Sequence, residues 1–298
     1  APMDNQPAIE RTELGKKLFF DPRLSGSNWI SCASCHNPGL GWSDGLPQAF
    51  GHGMGTLKRN TPTIVNVAFN NAQTWDGRFS TLEQQALGPI VDKGEMNQDL
   101  TELIKELSAI DGYRKEFDEA YPGEGISGST IAKALAAFER TILCGESPFD
   151  RWRKGDNKAI SDSAKRGFAL FEGNAKCTTC HEGFNFTDNG FHNIGVKPIK
   201  DENDQGRFAV KKVAINKGAF KTPTLRDVAL TSPYMHNGLY RTLEEVVEHY
   251  DRGGDVKEYL SPNMTPLNLS AQEKADLVAF MRTLTGEPIH VAIPQLPQ

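Results

Sequence analysis

Apolar positions along this 298-residue chain recur mostly at helical spacing. Leu14, Leu18 and Phe19 fall on one face of RTELGKKLFF (11–20), and DPRLSGSN then breaks the pattern. Residues 80–88 fit a short helix, and 97–110 (NQDLTELIKELSAI) shows clear i, i+3, i+4 spacing. GYRKEFDEAY and SGSTIAKALAAFERTIL continue as two more helices. GESPFDRWRKGDN (145–157) is polar, holds Pro and Gly, has no apolar period and reads as a connection. SDSAKRGFALFEG opens the second half as a capped helix, and TLEEVVEHY and LSAQEKADLVAFMRTL follow as amphipathic helices with N-caps Thr242 and Ser270. Strand signals are weak. Segments 37–60 (glycine-rich) and 182–221 (rich in Gly, Asp and Lys) carry almost no periodicity and read as long loops. The pattern predicts a mainly α fold with long irregular loops, little β and two domains, 1–145 and 146–298. Their shared order of short helix, loop, cysteine motif and loop hints at duplication of one unit.

Composition changes little in this picture. Thirty-three basic against thirty-eight acidic residues give a net charge of −5 without long runs of one sign, which argues against nucleic acid as a partner. No apolar run approaches the length of a membrane span. The chain opens APMDNQ without an initiator Met, which reads as a mature secreted form whose leader has been removed.

The cysteines change it more. Cys32-Ala33-Ser34-Cys35-His36 and Cys177-Thr178-Thr179-Cys180-His181 both follow Cys-x-x-Cys-His, the pattern that attaches a c-type haem through two thioethers and ligates its iron with the histidine. The competing reading, redox disulfides or halves of zinc sites, leaves both histidines unexplained. Two covalent haems are expected, with His36 and His181 as proximal ligands and two cytochrome c-like domains around them. Cys144 is left over and reads as a buried thiol. Covalent haem attachment in bacteria takes place outside the cytoplasm, which places the protein in the periplasm.

LGKKLFFDPRLS, SCASCHNPGLGWSDGLPQAFGHG, KRNTPTIVNVAFN, TWDGRFSTLEQQALGPI, GEMN, SPFDRW, GRFAVKKV, FKTPTLRDVALTSPYMHNG and ADLVAFMRTLTG occur in order along nearly the whole chain. In these segments the sequence resembles the bacterial di-haem cytochrome c peroxidase and MauG superfamily. The resemblance implies peroxide reduction at the N-terminal haem and electron exchange with a partner at the C-terminal one. It implies that Glu95 is the catalytic glutamate and that Gln85 and Pro89 line its pocket. A carboxylate in an apolar pocket can take a proton from one peroxide oxygen and return it to the other. His52, in FGHGMG, lies where the peroxidase branch carries a movable distal histidine that ligates the iron in the resting enzyme. Trp75 matches the tryptophan relaying electrons between the haems, and Asn60, Thr231 and Pro233 match an interfacial calcium site, as suits a hard cation.

The two branches part at the second haem. Fourteen residues after His236 of PYMHNG, where peroxidases carry methionine and MauG-like proteins tyrosine, this chain has Tyr250. Leu243, Val246, Val247 and Tyr250 share one helical face, so Tyr250 points inward. A phenolate is a hard anion that favours oxidised iron. Met264 is the main competing ligand; Met235 and His249 read as packing and surface residues, and His192 and His290 as structural. His52 follows the peroxidase branch and Tyr250 the MauG branch, while the tryptophan that MauG carries before its second motif is Ala175 here. Three functions remain in view. The first is a periplasmic di-haem peroxidase that reduces hydrogen peroxide to water with electrons from a small cytochrome c or cupredoxin. The second is a MauG-like enzyme that uses peroxide-derived high-valent haem to oxidise residues of a partner protein. The third, a pure electron-transfer cytochrome, needs no Glu95 and Gln85. Many relatives form homodimers, and the sequence leaves that open.

Overall fold

In the computed structural model, which describes residues 1–199 and 204–298, the first half is α1 (Ile9–Phe20), α2 (Cys32–Cys35), α3 (Leu82–Val91), α4 (Leu100–Ser108), α5 (Asp111–Ala120) and α6 (Gly128–Glu139). The second half holds α7 (Pro148–Arg153), α8 (Asp162–Glu172), a two-residue antiparallel pair β1 (Phe191–His192) and β2 (Phe220–Lys221), α9 (Leu243–Asp251) and α10 (Ala271–Arg282). The expected helices form within a few residues of their sequence limits. Thr242 and Ser270 cap α9 and α10, each with a reciprocal bond from the Glu three residues on. The long loops are irregular apart from 3-10 turns and the short β pair. Positions 200–203 of the predicted loop 182–221 lie outside the described residues.

Each half has its own core. Leu14, Leu18 and Phe19 of α1 pack on α6 through Phe138, with Trp42 against them. The second core is aromatic: Phe149, Phe168, Phe171, Phe186 and Phe280 stack edge to face around α8 and α10. Both rest on a close helix crossing at a glycine. A Cβ on Gly15 of α1 would lie 1.9 Å from the Ala134 carbonyl of α6, and one on Gly167 of α8 would lie 1.9 Å from the Asp276 carbonyl of α10.

The connection 145–157 differs from its sequence reading, for it contains α7. Ser147 caps that helix, Pro148 starts it, and Phe149 sits inside the aromatic core with Trp152 packed against it, the helix being too short for this pair to show as a period. Arg226 clamps α7 to the second half with two bonds to Asp150, of 2.7 and 2.8 Å. At the far end the chain crosses back, and Ile289 and Val291 pack on the first core.

The two halves repeat each other in detail. TPTIVNVAFN (61–70) and TPTLRDVALT (222–231) adopt one conformation, with Asn66 and Asp227 left-handed at φ 58° and 57°. Asn66 N–H bonds the Ile142 carbonyl and Asp227 N–H the Leu284 carbonyl, just past α6 and α10 respectively. Their side chains accept from the N–H of Cys144 and Gly286. Across the seam the exchange is reciprocal: Asn60 N–H donates to the His236 carbonyl and Lys221 N–H to the Trp75 carbonyl, both at 2.8 Å.

One mismatch in this repeat has a measurable consequence. Glu139 of α6 is 7 % exposed, where its counterpart on α10 is Met281. Burial pushes the Glu139 carboxyl up to about 8. The folded state therefore keeps a proton that the unfolded chain releases above its ordinary value of ~4.3. The resulting stability is fully present below that value and is lost as pH rises through the folded one. Glu139→Gln, which cannot ionise, is expected to flatten the decline between about pH 5 and 8. Denaturant midpoints across that range check it; equal pH slopes in the two proteins would refute it.

Candidate active site

Both cysteine motifs open onto one cavity of ≈ 1010 Å³ lined from the two halves, at the upper end of the ~300–1,000 Å³ range of small-molecule sites. The first motif forms the single turn α2, capped by Ser31, which sets Cys32 and Cys35 on one side of the helix. The second is a 3-10 turn begun by left-handed Lys176. Each histidine is held by the same device. His36 Nδ1 lies 3.1 Å from the Trp42 carbonyl and His181 Nδ1 2.9 Å from the Phe186 carbonyl, and both aromatic residues are left-handed, at φ 60° and 51°. Nδ1–H donates to that carbonyl, so the neutral ring keeps its lone pair on Nε2. Burial pushes both imidazoles below their ordinary value, which favours this neutral form.

The donor set fits two c-type haems. No cysteine is in a disulfide. Burial pushes the motif thiols up, Cys35 and Cys180 to about 11 and Cys177 to about 12. Redox and zinc cysteines need stabilised thiolates, whereas a neutral thioether suits these walls. Among the described residues one cluster of three possible metal donors occurs, Cys180, Asp188 and His192, and nothing similar surrounds the first motif. His192, read as structural, bonds Asp188 across 2.7 Å and lines the cavity. His36 and His181 would ligate the irons, and the four thiols would carry the thioethers.

On the first-motif side, Gln85, Pro89 and Glu95 all reach the cavity. α3 brings the first two, and a tight turn brings the third. Asp92 Oδ1 accepts from Gly94 N–H, Glu95 N–H donates to the Asp92 carbonyl, and Met96 N–H returns to the Pro89 carbonyl. Burial and then Asp92 raise the Glu95 carboxyl, while Arg78 opposes them. Arg78 also lines the cavity and is a site residue the sequence reading passed over, although it stands in the quoted TWDGRFS segment.

His52 is placed differently. Its backbone N–H donates to the carbonyls of Gly94 and Glu95, at 3.0 and 2.8 Å, so its loop is bound to the Glu95 turn. A Cβ on Gly51 would lie 1.9 Å from the Gly94 carbonyl, which makes glycine obligatory there. The imidazole is not among the groups on the cavity wall, and its Nδ1 is buried without a partner.

Trp75 stands at the seam, with Nε1–H donating to the Asn60 carbonyl at 2.9 Å and its own carbonyl holding Lys221 N–H. Around it, Arg59 pairs with Asp76 and Asp204, both at 2.7 Å, and lies over Phe220, which stacks on His236 at 3.6 Å. Asn60, Thr231 and Pro233 share the cavity wall. The Asn60 amide donates to the Leu46 carbonyl at 2.8 Å, which leaves Oδ1 as the end able to meet a cation.

On the second-motif side, Leu243, Val246, Val247 and Tyr250 face the cavity together, as helical phase requires. Burial raises the Tyr250 phenol well above its ordinary value. Met264 and Met235 line the same cavity. His249 corrects its surface reading: it is 0 % exposed and bonded at both nitrogens, to Tyr240 Oη and the Ile194 carbonyl. It sits one position before Tyr250, where the helix turns away from the cavity toward Tyr240. Cys144 is half-buried rather than buried, with Sγ near the Gly145 carbonyl. His290 is exposed, and Ala175 is buried on the cavity wall.

The profile of the di-haem cytochrome c peroxidase family matches residues 9–158, and that of cytochrome c matches 164–285. The chain is 48 % identical over 297 residues to methylamine utilization protein MauG of Methylorubrum extorquens, covering 99 % of this chain and 84 % of that one. It is 38 % identical over 300 residues to cytochrome c551 peroxidase of Pseudomonas aeruginosa, covering 98 % and 84 %. A solved MauG-like protein associated with microbial copper homeostasis superposes with a TM-score of 0.88 at 33 % identity, over 96 % of this chain and 92 % of that one. With two cytochrome c-like domains and one cavity joining both motifs, the chain is an oxidoreductase that belongs to the di-haem cytochrome c peroxidase family.

Proposed function

We propose that the protein reduces hydrogen peroxide to water beside the first motif, in the periplasm, with two electrons delivered past the second motif from a small cytochrome c or cupredoxin. No helix among the described residues is long and apolar enough to cross a membrane. Haems held by His36, His181 and the four motif thiols would supply iron able to bind peroxide and pass electrons singly. The observation that carries the proposal is Glu95: a cavity-lining carboxyl raised by burial, beside Gln85 and Pro89. The raised carboxyl holds and returns a proton near working pH more readily than an exposed one. Glu95 takes the proton of one peroxide oxygen and gives it to the other, and two further protons with two electrons complete two waters. Gln85 orients the substrate, and Pro89 keeps that stretch of wall free of a backbone donor. Trp75, hydrogen-bonded to both halves, relays the electrons. His52, bound through its backbone to the Glu95 turn, is the group that enters the cavity at rest and leaves on activation. Asn60, Thr231 and Pro233 would hold calcium at the seam, and the domain boundary falls at 145/146, between Cys144 on the first core and Phe149 in the second. Peroxide-dependent oxidation of a reduced small cytochrome tests the proposal, and absence of peroxide consumption would overturn it.

Tyr250 supports a second reading, in which a partner protein's side chains supply the electrons. From α9 it would ligate the second iron, whose charge would stabilise the phenolate that burial alone disfavours. Tyr250→Phe is expected to shift the absorption spectrum of the second haem. An unchanged spectrum would return Met264, on the same wall, as the ligand.

A further inference from the structure

Lys221 is 8 % exposed and lies on the cavity wall. Its ammonium donates to the Thr222 carbonyl at 3.1 Å, and no carboxylate among the described residues pairs with it. Asp188 is the acid it senses, but Oδ2 of Asp188 lies 2.7 Å from His192 and Oδ1 accepts from Gly190 N–H. Arg59, another cation at this seam, is paired with Asp76 and Asp204, and Arg207 donates to the Asp76 and Gly77 carbonyls. A buried ammonium left with a single neutral acceptor is costly, and burial pushes this amine down to about 8.

The fold itself does not ask for the charge. Asn60 is the counterpart of Lys221 in the first half and makes the same cross-seam backbone bond with a neutral side chain. What Lys221 adds is a fixed cation on the cavity wall, in register with Phe191 of β1 and beside the Asp188–His192 pair.

We propose that Lys221 holds a carboxylate inside the cavity, and that this carboxylate is a propionate of the second haem. The inference rests on the presence of that haem and stands whichever of the two reactions the protein performs. An ammonium beside the macrocycle favours the reduced iron, whereas an unpaired propionate favours the oxidised one.

Redox titration of the holoprotein, followed by haem absorption, tests this. In Lys221→Met the ferric-to-ferrous ratio of the second haem at a fixed potential is expected to rise about tenfold, a 59 mV fall for a one-electron couple, while the first haem changes little. An unchanged second haem in the fully haem-loaded variant would overturn the proposal. A wild-type potential that moves with added acetate would overturn the propionate in favour of a free carboxylate. Should Lys221→Met fail to load haem, Lys221→Arg serves. Its redox-difference infrared spectrum is expected to show a shifted carboxylate band, and an unmoved band would overturn the proposal.

Discussion

Glu95→Gln is expected to lower kcat/KM for hydrogen peroxide by about 10²–10⁴-fold, the usual worth of a positioned proton-transfer group. Glutamine fills the same space and keeps hydrogen-bonding capacity, so the turn from Asp92 to Met96 should stay intact and the loss should fall on the chemical step. The turn explains why. Glu95 is placed by its N–H bond to the Asp92 carbonyl and by that of Met96 to the Pro89 carbonyl, not by its own side chain, and Gly51 and His52 pack on its carbonyl side. Steady-state kinetics with a reduced small cytochrome measure the effect. Activity within threefold of wild type would remove Glu95 from the mechanism.

Phe280→Ala is expected to cost about 3–5 kcal/mol of stability, at the upper end for single substitutions. Phe280 is 0 % exposed, and its ring lies 5.0–6.0 Å from those of Phe149, Phe168, Phe171 and Phe186. Because Phe186 presents the carbonyl that holds His181, the cavity left behind should loosen the second-motif histidine as well as the core. Denaturant unfolding reads the first effect, and broadening of the second haem's absorption reads the other. A cost below about 1 kcal/mol would show that neighbouring rings close the gap.

The helices were legible wherever an apolar stripe ran for two turns or more, as in α4, α6 and α9. α7 was not, since its one buried residue, Phe149, is held by contacts with α8 and α10 that no local pattern records. His249 was misread for a related reason. Its burial depends on Ile194, 55 residues away and reached only once the loops close, and on Tyr240 just before α9. Tyr250 was legible because three aliphatic residues mark its face of α9. Glu95, Gln85 and Pro89 could be assigned to one pocket by resemblance, but the backbone tie between the Glu95 turn and the His52 loop could not. The cross-seam pairing of Asn60 with His236 and Lys221 with Trp75 was latent in the two TPT segments. Aligned together with the residue before each, they set Lys221 against Asn60 as one mismatch of the repeat, with Arg226 against Val65 as another.

The central claim is that Glu95 handles the proton at the first haem site. Rapid mixing of one equivalent of hydrogen peroxide with wild type and Glu95→Gln, in the oxidised and the one-electron-reduced protein, tests it most directly. The haem absorption of wild type is expected to change rapidly in at least one redox state, with the variant slower by at least about 10²-fold in that state. Equal rates in wild type and variant, or no reaction of wild type in either state, would contradict it.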